Sequence, residues 1–143
     1  MSLIRFNYAD VKPIAVNNKG LIKKQVAEIF ISEKKKIDQV DYIFCSDYFL
    51  LEINKSFLQH DFFTDVITFD LSNTKDIRGE IYISVDRVRE NAIIYSKTYR
   101  SEILRVIFHG ALHLCGYQDK RKSEITVMRQ KEDYYLQLFE KQI

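Results

Sequence analysis

The sequence predicts an α+β fold, a small four-stranded mixed β-sheet packed with about five helices. Three observations predict it. Apolar residues alternate at period two in a few short runs and recur at helical spacing in longer ones. Two β-rich runs, "VITFD" and "GEIYIS", are separated only by a short polar segment, which favours an antiparallel pair. At 143 residues, with 46% apolar and 29% charged residues, 9 Tyr and 10 Phe, the chain is long enough to bury one core. Residues 1–143 read as a single domain without internal repeat, low-complexity tract or linker.

Each element follows from local pattern. Residues 2–8 alternate as a strand, and "KPIAVNNKG" breaks the alternation with Pro13 and Gly20. Leu21, Ile22, Val26, Ile29 and Phe30 then recur at helical spacing, with Lys34, Lys35 and Lys36 suiting the negative end of that helix. "VDYIFCSD" reads as the second strand. Ser46 or Asp47 can cap a helix running to about Leu58, with Phe49, Leu50, Ile53 and Phe57 as its apolar positions. After the strand pair, Ser84 can cap a helix to about Lys97, and Ser101 another that ends at Cys115, where Gly116 suits a left-handed turn. A last helix from about Ser123 to Glu140 carries Ile125, Met128, Tyr135, Leu136 and Phe139, a stripe that reads as core.

Composition narrows the function classes. With 22 Lys+Arg against 20 Asp+Glu the net charge is only +2, so no global field pulls the protein onto nucleic acid or anionic lipid, and any RNA contact has to be local. The opening "MSLIRFNYAD" lacks a signal-peptide core, and no apolar run approaches a bilayer span, so a soluble, cytoplasmic protein is expected. Two cysteines, Cys45 and Cys115, make no disulfide framework.

The chemistry concentrates in "VIFHGALHLCGYQDK". His109 and His113 stand at i and i+4, so a helix projects both imidazoles from one face, close enough to ligate one zinc ion. Two packed core histidines would have the same spacing. Gly116 favours the metal, because it lets the chain double back and bring Asp119 to the same ion. Two His and one carboxylate leave a fourth position for water, the layout of a catalytic zinc site. Cys115 points to the opposite side of the helix and reads as a small core residue.

These residues carry a resemblance. "HGALHLCGYQD" resembles the H-G-x-L-H-L-x-G-Y-D-H signature of the YbeY-type rRNA-maturation endoribonucleases, with His109 and His113 at the first two ligand positions and Gly110, Leu112, Leu114, Gly116 and Tyr117 matching between and after them. "NKSFLQHDFFTDVITF" is similar to the family's N-x-x-Y-R-x-x-D-x-x-T-D-V-L-S-F at Asn54, Asp61, Thr64, Asp65, Val66 and Phe69, and "GEIYIS" to the G-D-I-x-I strand that follows. The resemblance spans about residues 50–120. It implies a zinc-dependent, single-strand-specific endoribonuclease acting in 16S rRNA 3′-end maturation and ribosome quality control, with rRNA in the small ribosomal subunit as partner.

The departures are specific. Asp119 stands at the third histidine and Gln118 at the usual Asp. An anionic carboxylate cancels more of the ion's charge than imidazole does, so water there should be less acidic than in a three-histidine site. Leu58 occupies the position of the family arginine thought to act on RNA; Arg105, His60 and Arg78 are the replacement candidates. Asp61, Asp65 and Glu80 are candidate general bases, with a structural role for Asp65 as the alternative, and a substrate phosphate oxygen could take the proton instead. Phe62, Phe63 and Tyr117 are candidates for stacking on bases, against the simpler expectation that each is core.

Two rivals remain at this level. The H-x-x-x-H-x-x-G-x-x-D spacing is also that of a metzincin-like metalloprotease, but there a Glu directly after the first histidine is the base, and here that position is Gly110. The other is a non-catalytic, zinc-stabilised ribosome-associated factor.

Overall fold

The computed structural model describes residues 3–142. Strand β1 (Ile4–Tyr8) leads through a loop into helix α1 (Lys19–Ser32), which returns the chain to β2 (Ile37–Cys45). A connection that contains a helix can lay two strands side by side in the same direction, and β1 and β2 are parallel. Helix α2 (Asp47–Leu58) follows, then β3 (Val66–Asp70) and β4 (Ile77–Ser84), and finally α3 (Val85–Ile94), α4 (Tyr99–Leu114) and α5 (Lys122–Glu140). The sheet order is β1-β2-β4-β3, with β2 parallel to β4 and only β3 antiparallel, in register Thr68↔Ile81. The expected α+β class, mixed four-stranded sheet and five helices are observed. The predicted first strand began at residue 2, which lies outside the described residues.

The helix starts follow the capping chemistry, with one correction. Ser46 accepts the Phe49 N–H at 3.2 Å and Ser84 accepts the Arg87 N–H at 3.0 Å, as expected. Ser101 is not a cap. It lies in the first turn of α4, and its N–H donates to Thr98 Oγ1 at 3.0 Å, because Thr98 has the extended backbone a cap needs. Lys34, Lys35 and Lys36 do not end α1 either. The helix stops at Ser32, its last turn holds no basic residue, and Lys34 has a left-handed backbone (φ 61°) in the turn toward β2.

The sheet buries both faces. On one face Val40, Tyr42, Phe44, Ile81 and Ile83 pack against α1, α4 and α5 in the main core; on the other, Cys45 and Ile67 pack under Leu50 of α2. Helix α2 buries Leu50, Leu51 and Asn54, whereas Phe57, expected in its stripe, is 71% exposed. In α5 Met128, Tyr135, Leu136 and Phe139 are core, but Ile125 is half exposed at a cleft edge. Helix α4 lies against β3 and β4. That approach requires Gly110: a Cβ there would sit 2.6 Å from Ile81 Cγ2.

Cys45 and Cys115 are free and buried, and burial pushes each thiol up to about 12, so neither is a ready nucleophile. Among the described residues no helix is long and apolar enough to cross a membrane.

Candidate metal centre

The two histidines occupy the last turns of α4 with ring centroids 4.5 Å apart and planes at 83°. Gly116 ends the helix with φ 108°; its N–H donates to His113 O and the Tyr117 N–H to Leu112 O, the paired bonds of a left-handed helix stop. The chain therefore reverses and delivers Asp119. Its Oδ2 lies 3.2 Å from His109 Nε2 and 3.3 Å from His113 Nε2. The segment beyond is held as well, since Glu124 Oε1 accepts the N–H groups of Lys120 and Arg121 at the start of α5.

Both imidazoles are oriented by their outer nitrogens. His109 Nδ1 meets Glu132 Oε2 at 2.6 Å, and His113 Nδ1 meets the Tyr117 carbonyl at 2.9 Å. An acceptor on Nδ1 places the ring proton there and turns the Nε2 lone pair inward, which is how metal-binding histidines are usually held. One atom from each of His109, His113 and Asp119 lies within 4.8 Å of the others. Two imidazole nitrogens and a carboxylate oxygen suit zinc or a related divalent ion, so this donor set fits the metal the sequence implies.

Charge around the histidines is uneven. Burial pulls His109 down, but Glu132, Asp119 and Asp65 outweigh it and hold the imidazole above its ordinary value. His113 is held below its ordinary value by burial and by the neighbouring His109. Glu132, which sequence reasoning missed, is 3% exposed and takes a second bond, from Arg105 at 2.7 Å; Arg105 also pairs with Asp133 at 2.7 Å. On the far side of the ligand turn, Tyr117 and Tyr135 donate to Glu33, which Lys131 also approaches at 3.1 Å. Glu33 thus ties down the residue whose carbonyl orients His113.

The site opens on a cleft of about 760 Å³, and the other predicted residues sort by whether they reach it. Arg105, His60, Leu58 and Asp65 line it. Burial holds the Asp65 carboxyl above its ordinary value, and Asn91 donates to it at 3.4 Å. Glu80 does not reach the cleft: in β4 it alternates away from Ile81 and accepts from Tyr82 on the sheet face that carries α2. Asp61 is exposed beside Lys55, and Arg78 is exposed beside Asp38. Tyr117 is turned to Glu33. Phe62 and Phe63 were both expected as core and neither is: Phe63, 42% exposed, meets Tyr48 edge-on with Arg87 over its ring, and Phe62 is 56% exposed at the cleft. Two further residues come from the tertiary structure alone: Glu102, 5% exposed with its carboxyl pushed up by burial, and Thr68, whose Oγ1 is the one buried side-chain oxygen or nitrogen without a partner among the described residues.

Comparison with known proteins gives the family. A protein from Flavobacterium psychrophilum named endoribonuclease YbeY is 49% identical over 114 residues, covering 80% of this chain and 81% of its own. One of the same name from Flavobacterium johnsoniae is 37% identical over 137 residues, covering 96% and 97%. A solution structure from Thermotoga maritima superposes with TM-score 0.66 at 31% identity, over 95% of this chain and 88% of its own. The family model for endoribonuclease YbeY matches residues 7–140, and the chain belongs to that family.

Proposed function

We propose that the chain is a zinc-dependent endoribonuclease that cleaves single-stranded RNA, working in the cytoplasm on the small ribosomal subunit, in 16S rRNA 3′-end maturation and ribosome quality control. Family membership supports the endoribonuclease. The observation that carries the metal is the convergence of His109 Nε2, His113 Nε2 and Asp119 Oδ2 inside a cleft, with both outer ring nitrogens already held. Zinc bound there would supply Lewis-acid polarisation of a phosphoryl oxygen and an acidified water.

The chain's own residues divide the remaining work. Asp65 is the carboxylate base candidate that lines the cleft, and burial strengthens its hold on a proton. Arg105 is held by Glu132 and Asp133, so its role is to fix Glu132 and through it His109. Peptide hydrolysis lacks its base for a steric reason: position 110 faces Ile81 with no room for a side chain.

Zinc content and cleavage test the reading together. The purified chain is expected to hold about one zinc ion, as a single His₂Asp site does, and His113→Ala to lose it. Single-stranded RNA should be cut, chelator should stop the cutting, and casein should stay intact. Equal zinc in both proteins would sink the metal site, and casein cleavage would return the protease reading.

A further inference from the structure

The cleft is poor in free positive charge for an RNA site. Acidic side chains outnumber Lys and Arg along its wall, and a divalent ion at the histidines would cancel that excess without making the wall basic. Of its three Lys and Arg side chains, Arg105 is paired twice, Arg129 lies 4.0 Å from Glu132, and Lys120 alone is exposed without an ion pair among the described residues. Leu58 brings no charge. Phosphate attraction alone therefore gives a strand little hold, and base contacts have to contribute.

Aromatic surface is available at the cleft wall. His60 and Phe62 stack on each other, with ring centroids 5.0 Å apart and planes at 20°, and both line the cleft that holds the metal centre. Both are exposed. The loop that carries them is pinned by a single buried residue, Asn54, which is 1% exposed. Its side-chain amide donates to Phe62 O at 2.9 Å, and its carbonyl accepts the His60 N–H at 3.1 Å, while Gln59 takes the left-handed turn between them (φ 56°). Two rings held parallel by a fixed backbone lose little entropy when a third ring is added. Of the other aromatics considered for stacking, Phe63 is committed to Tyr48 and Arg87 and Tyr117 to Glu33, while Tyr95, exposed at the cleft, stacks on no other ring among the described residues.

We propose that the His60–Phe62 pair is a stacking platform for an unpaired nucleobase of single-stranded RNA, holding the strand in the cleft where Leu58 offers no charge. The proposal rests on the RNA reading above. Stacking on an aromatic side chain is worth about 1–3 kcal/mol per base, so removing it should weaken binding by about 5- to 150-fold.

The test uses the zinc-loaded full chain and two strands of equal length, a 2′-O-methyl oligoadenylate and its abasic sugar–phosphate counterpart, with binding followed by fluorescence anisotropy. The wild type is expected to prefer the base-bearing strand, and that preference should persist as salt is raised. Phe62→Ala should lose most of the preference, His60→Ala part of it, and Phe62→Tyr should keep it. Because Phe62 is exposed, these variants leave the core intact, and binding of the abasic strand should be unchanged in all of them. Equal binding of both strands by the wild type, or an undiminished preference in Phe62→Ala, overturns the platform alone. Binding of neither strand overturns the RNA reading and the platform with it.

Discussion

Glu132 joins His109 across 23 residues of sequence, and its two carboxylate oxygens divide their work between the histidine and Arg105. A buried carboxylate on the outer ring nitrogen makes the inner one a better donor, and losing such a partner commonly costs about 10- to 100-fold in metal affinity. Glu132→Gln keeps the shape and removes the charge. It is expected to lower zinc affinity by about tenfold without unfolding the protein, measured by competition with a chromophoric chelator; an unchanged affinity would show that His109 needs no such partner. Gly110 acts by what it lacks. The position where a metzincin-like protease has its base carries no side chain here, and the approach to Ile81 supplies the reason: it faces the sheet, where a Cβ would sit 2.6 Å from Ile81 Cγ2.

The element that positions the candidate ligands is α4 together with its two ends. Its C-terminal end is set by Gly116 and turns the chain toward Asp119; its N-terminal end is set by Thr98. A cap oxygen satisfies a backbone N–H that the helix leaves open, and replacing it with Ala typically costs about 1 kcal/mol. Thr98→Ala should therefore lower stability by about 1 kcal/mol in urea denaturation, while Ser101→Ala should be close to neutral. The reverse order of effects would restore Ser101 as the cap. Ser101 was the expected cap; Thr98, three positions earlier, carries the same hydroxyl chemistry, and its extended backbone makes it the cap instead.

At the scale of the whole molecule the cleft costs stability. Burial raises the proton affinity of Glu102 and of Asp65, so each favours folding more when neutral than when ionised. For a carboxyl raised above its unfolded value of about 4.3, the contribution is fully present below that pH and is lost as pH rises through the higher folded value. Glu102→Gln mimics the neutral form at every pH. In protein stripped of metal it should melt at a higher temperature than the wild type near pH 7, with the difference shrinking as pH approaches about 4. A variant that melts lower at both pH values would show that the Glu102 carboxylate is stabilised by its surroundings after all. Glu33 has the opposite sign. Burial is outweighed there by bonds from Tyr117, Tyr135 and Lys131, so its contribution is present at neutral pH and is lost as pH falls through its lowered folded value.

What the sequence determined by itself was local. The i,i+4 histidines, the glycine stop and the Asp that follows are tied by helix geometry and one turn, so a cluster that could hold a metal ion was legible before any fold was known. The caps at Ser46 and Ser84 and the β3–β4 pair were legible for the same reason. Residues that depend on distant partners were not. Glu132 and Glu33 reach the site from α5 and from the end of α1, and nothing in their own surroundings distinguishes them from solvated acids. Glu80 and Asp65 were both plausible bases in sequence, and they part because Glu80 alternates to the far face of β4 while Asp65 enters β3 at the cleft. Phe62 and Phe63 are adjacent and chemically identical, yet one faces the cleft and the other packs against Tyr48 and Arg87. Only the tertiary structure decides such cases, because the side a residue faces depends on which surfaces the packed elements leave uncovered.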